Sequence, residues 1–370
     1  MIMIGKVVIS LIWAFWMMAM SSAEGNPTDK SEPVVVIKEE YNPTYNSTFD
    51  RVKKRGHVIC GTNDEFPGFS QEAWSTEDGS KWEGFDIDIC RAVAAALFGD
   101  ADAIEFTVVN GKTRFTFLIE GSIDVLSATT TFTYTRNVAK KLEFLPTTFY
   151  DGQGFIVRKT LGVSSAKQLE GAKICFSGTS TAAKNIADFF ELHGISYIPV
   201  SVKPTEKTKN VYKRGDCDMY GTDRSGLASN RLSFDDPERH MILPEIISKE
   251  PLGPVVKYGD QKWSDVVRWT IYVLFIAEEM GINSKNIDSF KNNIDPNIQR
   301  FMGEKNGEDY PHLGSKLGLS ATWSYDIIKQ VGNYKEIYER NVGENTPLGL
   351  QRGLNRLYNH GGLLYAPPLK

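Results

Sequence analysis

Twice along this chain of 370 residues, short apolar runs alternate with helix-like segments, and each run empties into a stretch of Gly, Ser, Thr or Asn. That alternation restricts the fold to α/β units with their strands side by side and their loops at one edge. His57-Val58-Ile59-Cys60 reads as a buried strand that runs into the turn-rich residues 61–68. Residues 84–89 lead into an Ala-rich helix over 90–98, with Asp86 or Asp88 near its start, where an acid suits the helix dipole. A strand at 103–109, a helix at 112–120 and a strand at 123–126 complete a first parallel sheet. The pattern then restarts with strands at 154–157 and 173–176, a helix over 182–193, and further segments at 197–202, 209–213 and 217–220. We read a second lobe inserted into the first, with crossings near 151–157 and 245–257, and amphipathic runs at 263–280 and 323–340 forming helices that return to the first lobe.

The N-terminus carries a basic Lys6, an apolar stretch over 7–20 and the small residues Ser21-Ser22-Ala23, the pattern of a secretory signal cleaved after Ala23. That apolar stretch is shorter than the ~20 residues a spanning helix needs. Residues 24–47 read as an extended arm. The 42 Lys and Arg are interspersed with 46 Asp and Glu, for a net charge of −4, which argues against a nucleic-acid partner. In an exported chain, four cysteines, Cys60, Cys90, Cys175 and Cys217, favour disulfides over a metal site; three connectivities are open to them.

In open α/β sheets ligands bind beyond the C-terminal ends of strands, so the chemistry is sought in the loops that follow them. The run from Ser127 to Arg136 is rich in hydroxyls and ends in a guanidinium, whose planar fork matches a carboxylate. Thr129, Thr131 and Arg136 are its donors. Thr179, Ser180 and Thr181 stand at a helix N-terminus, a natural anion seat, although Gly-Thr-Ser-Thr also serves as a plain cap. Asp223, just past another strand, could accept from an ammonium, and Phe66 could supply an aromatic wall. Together they describe a site for a zwitterion, with no cofactor and no metal.

From Phe49 onward the chain resembles the periplasmic general L-amino-acid-binding proteins of ABC transporters, two-lobed solute-binding proteins of the Venus-flytrap kind. The likeness rests on Cys60-Gly61, Pro67-Gly68-Phe69-Ser70, residues 84–94, Ser177-Gly178-Thr179-Ser180-Thr181 and Cys217-Asp218-Met219-Tyr220-Gly221-Thr222-Asp223. Residues 329–334, 345–350 and Tyr365-Ala366-Pro367-Pro368 are its most specific blocks. The resemblance implies a type II periplasmic-binding-protein-like α/β fold with a central ligand cleft. Its first lobe would span 48–152 and 249–370, and its second 153–248. It implies that Arg136 clamps an α-carboxylate helped by Thr129 and Thr131, that Ser180 with Thr179 and Thr181 completes the seat, that Asp223 takes the α-ammonium, and that Phe66 covers the ligand. It also implies bridges Cys60 to Cys90 and Cys175 to Cys217, a monomer in the periplasm, and an inner-membrane ABC permease as partner. One departure stands out: the loop Asn63-Asp64-Glu65-Phe66 carries two acids.

With Arg136 on one lobe and Ser180 and Asp223 on the other, an amino acid satisfies both only when the cleft closes, so binding shifts an open–closed equilibrium. The rival readings are a dehydratase of the cyclohexadienyl or arogenate type on the same fold, and a sensor ectodomain. The first needs a positioned acid, yet the five histidines, His57, His193, His240, His312 and His360, are scattered, and no G-x-S-x-G, Walker or H-E-x-x-H motif is present.

Overall fold

The computed structural model describes residues 47–75, 79–304 and 312–370. The signal segment and all of the arm but Ser47 lie outside the described residues. Helix α1 (Thr48–Arg55) precedes strand β1 (Val58–Thr62), the hairpin β2 (Gln71–Ser75) and β3 (Gly79–Glu83), helix α2 (Phe85–Phe98), β4 (Ile104–Val108), α3 (Arg114–Glu120), β5 (Val125–Leu126) and β6 (Leu142–Phe144). The chain crosses to a second sheet through β7 (Phe149–Asp151) and β8 (Gln153–Arg158), then continues through β9 (Lys173–Ser177), α4 (Ala182–His193), β10 (Ile198–Val202), α5 (Thr208–Arg214), β11 (Met219–Asp223), α6 (Arg224–Leu232) and β12 (His240–Ile242). It returns through β13 (Glu250–Leu252) and β14 (Val255–Lys257) into α7 (Gln261–Glu279), α8 (Pro296–Phe301), α9 (Gly314–Leu317), α10 (Trp323–Val331) and α11 (Tyr334–Asn341).

Two five-stranded sheets result, in the orders β4-β1-β5-β14-β6 and β10-β9-β11-β8-β12. In the first, β1 runs parallel to both β4 and β5; in the second, β9 runs parallel to β10 and β11. Strands 1, 4 and 5 therefore all end on one side, as do 9, 10 and 11, and their following loops face one cleft. The fourth strand of each sheet, β14 in the first and β8 in the second, runs antiparallel to both its neighbours, because it is where the chain enters that sheet after crossing. The crossings themselves pair, β7 against β13, as a two-stranded ribbon between the sheets. This is the two-lobed type II arrangement.

Disulfides pin each lobe: Cys60 in β1 joins Cys90 in α2, and Cys175 in β9 joins Cys217 ahead of β11. The first lobe's core is large, because α2, α7 and α10 bury Ala92 to Ala96, Trp263 and Trp323 against one another. Residues 323–340 are not one helix. Gly332, at φ 88°, breaks the run, and Asn333 starts a new helix with a capping box to Glu336.

Candidate functional site

A cavity of about 290 Å³ opens between the sheets at the strand ends, and every sequence-predicted ligand residue lines it: Phe66, Thr129, Thr131, Arg136, Thr179, Ser180, Thr181 and Asp223.

On the first-lobe wall, the chain leaving β5 turns sharply at Thr129, whose φ of 43° is rare for a side chain branched at Cβ. Asp86, at the start of α2, holds that turn: its carboxylate accepts from Ser127 Oγ at 2.8 Å and from Thr129 N at 2.9 Å. Burial raises Asp86 to a pKa of about 6, and the two hydrogen bonds offset only part of that. Thr129 Oγ1 also accepts from Asn63 at 3.2 Å. Arg136 follows on a π-helical turn, 7% exposed, with one arm donating to Thr131 O at 2.8 Å.

Sequence reasoning missed the second guanidinium. Arg114 opens α3, lines the cavity beside Arg136, and is lowered to a pKa of about 10, first by burial and then by the like charge of Arg136. Its Nε is buried and has no hydrogen-bond partner among the described residues. The strand-end rule that led to Thr129 and Asp223 also points to the loop after β4, where Arg114 stands.

On the second-lobe wall, the hydroxyls are less free than the motif implies. Ser180 Oγ donates to Ser177 O at 2.9 Å and accepts from Ala182 N at 3.2 Å, which shapes the turn into α4. Thr181 Oγ1 donates to Glu250 at 3.3 Å and accepts from Gln153 at 2.8 Å. Asp223 ends β11 and accepts from Gln153 at 3.2 Å. Burial, and then the negative charges of Asp151 and Glu250, push its carboxyl well above the ordinary range, while Gln153 and Arg136 pull the other way. Asp151 is raised too, mainly by burial. Three carboxylates thus crowd the ribbon end of the cleft, opposite two guanidinium groups. Phe66 closes the side, its ring edge-on to Phe69 and against Gly226 of α6.

The two unexpected acids have partners. Lys207 lies 2.8 Å from Glu65 and 3.4 Å from Asp64, and Lys209 lies 3.6 Å from Glu65. These pairs join the loop after β1 to the loop after β10 and the first turn of α5 across the mouth of the cavity. None of the five histidines lines it.

A cleft between two α/β lobes, cationic on one wall and anionic near the crossing strands, defines a binding protein for small zwitterions. Residues 58–344 match the family of bacterial extracellular solute-binding proteins, family 3, and the chain belongs to it. It is 48% identical over 324 residues to the general L-amino acid-binding periplasmic protein AapJ of Rhizobium johnstonii, covering 88% of this chain and 93% of that one. It is 43% identical over 325 residues to the glutamate/glutamine/aspartate/asparagine-binding protein BztA of Rhodobacter capsulatus, covering 88% and 94%. Among solved structures, an ABC transporter periplasmic binding protein from Brucella ovis with glutathione bound superposes with a TM-score of 0.83 at 44% identity, over 88% of this chain and 99% of that one.

Proposed function

We propose that this chain is the extracytoplasmic substrate-binding component of an ABC importer, that it takes L-amino acids by their α-carboxylate and α-ammonium groups, and that it closes around them. The observation that carries this reading is the opposition of Arg136 and Arg114 to Asp223 within one cavity. Two neighbouring guanidinium groups repel until an anion lies between them, and a carboxylate crowded by Asp151 and Glu250 favours a cation. An amino-acid head group supplies both charges a few ångströms apart. Thr129 and Thr131 would assist Arg136; Thr179, Ser180 and Thr181 would close the opposite side through the start of α4; Phe66 would cover the ligand. Charge-assisted hydrogen bonds contribute on the order of 1.5–3 kcal/mol each, so anchors that address only the shared head group give broad specificity. The relatives named for general L-amino acids and for glutamate, glutamine, aspartate and asparagine support that breadth.

The lobes are taken as 48–152 with 249–370, and 153–248. The mature chain starts after Ala23, acts as a monomer in the periplasm, delivers to an inner-membrane permease and catalyses no reaction.

Arg114 favours a second ligand class. A γ-glutamyl peptide carries the same zwitterionic head with one further carboxylate, which a second guanidinium would accept, and the Brucella relative holds glutathione. Thermal-shift measurements against L-amino acids, their D-forms, glutathione and prephenate test both readings, since a ligand that binds only the folded state raises Tm. Stabilisation by several L-amino acids and not by D-forms is expected. Silence across amino acids and glutathione overturns the transport reading, and turnover of prephenate or arogenate would restore the enzyme.

A further inference from the structure

The family match ends at residue 344, and the chain beyond it reaches back to the crossing ribbon. Asn355, 4% exposed, accepts from Tyr150 N at 2.6 Å through Oδ1 and donates to Tyr150 O at 3.1 Å through Nδ2. One side-chain amide thereby pairs with both backbone groups of the middle residue of β7. Opposite Tyr150 in β13 stands Pro251, and in an antiparallel pair such a residue turns its N–H and C=O to the other edge. Without Asn355 both groups would be left without a partner at a half-buried position.

Asn355 is in turn fixed to the first lobe. Arg352 donates to Asn355 O from Nε at 3.0 Å and from Nη2 at 2.7 Å, and grips Glu278 of α7 with two prongs at 2.8 and 3.1 Å. Tyr338 of α11 donates to Gln351 O at 3.0 Å, and Tyr334 beside it donates to Thr148 O at 2.8 Å, just ahead of β7. The strand is held on both edges up to Asp151. The next residue is Gly152, at the joint with β8, where a Cβ would meet Ser248 O at 2.8 Å and collide with Ile246.

We propose that Asn355 is a positioning residue for ligand capture. By bracing β7 it confines bending to Gly152 and the returning chain, so that the guanidinium wall and the Asp223 wall meet in one register. It touches no ligand. Losing the brace lets the strand flex along its length, and the ligand must then order the hinge as well as the cleft. This inference rests on the two-lobed binding reading above.

The test uses Asn355→Leu, which keeps the volume and removes both hydrogen bonds, and Arg352→Gln, which loosens the support without touching Tyr150. Donor and acceptor dyes on the two lobes report interlobe distance in single molecules, with L-glutamate, L-glutamine and glutathione as probes. We expect a broader ligand-free distance distribution in both variants. Affinity should fall about 5- to 30-fold for Asn355→Leu, chiefly through faster release, and less for Arg352→Gln. Unchanged distributions and affinities with only a lower Tm would make Asn355 structural and overturn the proposal. Should the leucine variant not fold, native-state hydrogen exchange of the wild-type Tyr150 amide decides: slow exchange supports the brace, and exchange as fast as that of an open strand edge overturns it. A wild-type protein that binds none of the probes sinks the transport reading, and the ligand-free distributions still judge the brace.

Discussion

Lys207 Nζ sits 2.8 Å from the Glu65 carboxylate, and the two residues belong to loops that follow strands of different sheets. Each shifts the other. The hydrogen bond from Lys207 holds Glu65 below its usual range; burial alone would lower Lys207, but Glu65 and Asp64 outweigh it and raise the ammonium. The pair spans the two lobes at the mouth of the cavity, so lobes that part on ligand release would have to break it.

Both groups are substantially exposed, and pairs of that kind are worth only ~0–1 kcal/mol. Lys207→Met is therefore expected to weaken ligand affinity by no more than about fivefold, through faster release. Raising salt to about 1 M should produce a similar loss in wild type and little further loss in the variant, because screening removes the same interaction. Titrations at low and high salt check this; equal salt sensitivity of the two proteins would show that the pair is not what salt acts on.

Arg114 shows why function and stability diverge in the first-lobe wall. Its guanidinium is buried beside Arg136 and its Nε has no hydrogen-bond partner among the described residues, so it costs stability until an anion arrives. Arg114→Met is expected to leave the ligand-free Tm unchanged or higher while shrinking the ligand-induced rise in Tm. Arg136→Ala should lower affinity by at least about a hundredfold, since it removes a charge-assisted clamp. A drop in ligand-free Tm for Arg114→Met would place it in the supporting structure instead.

The alternation of parallel strands and helices in both lobes was legible because apolar periodicity and Gly-, Ser- and Thr-rich ends are local signals, whereas the hairpin of β2 and β3 and the short strands β6 and β12 to β14 were not read. The places of Thr129, Arg136, Thr179 and Asp223 on the cavity wall followed from strand ends and residue chemistry. What was illegible is long-range. Asp86 reads in sequence as a helix-start acid, yet its carboxylate is spent on Ser127 and Thr129, over forty residues away. Asp64 and Glu65 looked out of place because their lysines lie about 140 residues on, in the other lobe. The break at Gly332-Asn333, by contrast, was written locally, in a glycine followed by an Asn…Glu capping pair.

Asp86 gives a stability signature. Its folded pKa, about 6, lies above the 3.8 of an ordinary aspartate, so between those values the folded state holds a proton that the unfolded chain has lost. The cost of the buried charge is fully present above pH 6 and is relieved as pH falls toward 4, by an amount on the order of 3 kcal/mol. Asp86→Asn should remove that component of the pH dependence, leaving the other acids to set the rest, and should weaken ligand binding because an amide accepts poorly from Ser127 Oγ and Thr129 N together. Denaturant titrations from about pH 4 to 7 on both proteins measure it; parallel curves would exclude Asp86 as the group responsible.

Asp223 predicts the proton balance of binding. Burial and the neighbouring Asp151 and Glu250 raise its carboxyl well above the ordinary range in the ligand-free site. A ligand ammonium favours the ionised form, so capture below the raised pKa releases a proton, and affinity climbs as pH rises through it. Calorimetry in two buffers of different ionisation enthalpy counts that proton. Asp223→Asn should abolish the release and lower affinity by at least about a hundredfold. Proton uptake, or none at any pH where the ligand binds, would mean that the ammonium does not seat there.

Gly111 offers the sharpest test of closure, because it separates the open form from the shut one without touching either anchor. It lies on the first-lobe rim of the cavity, and a Cβ there would collide with Thr179 Oγ1 and lie 3.1 Å from Thr179 Cβ, across the cleft. Its φ is not in the left-handed region, so its own backbone accepts a side chain. A methyl could be met by a rotation of Thr179, but the two branches of valine could not. Gly111→Val is therefore expected to preserve the ligand-free Tm and to hold the cleft ajar, so that small-angle scattering shows ligand-saturated protein as extended as ligand-free protein and affinity falls at least tenfold. Truncating the obstacle with Thr179→Gly in the same chain should restore the ligand-induced compaction, because the clash needs both side chains, with affinity returning to that of Thr179→Gly alone. Full compaction of Gly111→Val on ligand addition would show that the lobes do not approach along this line.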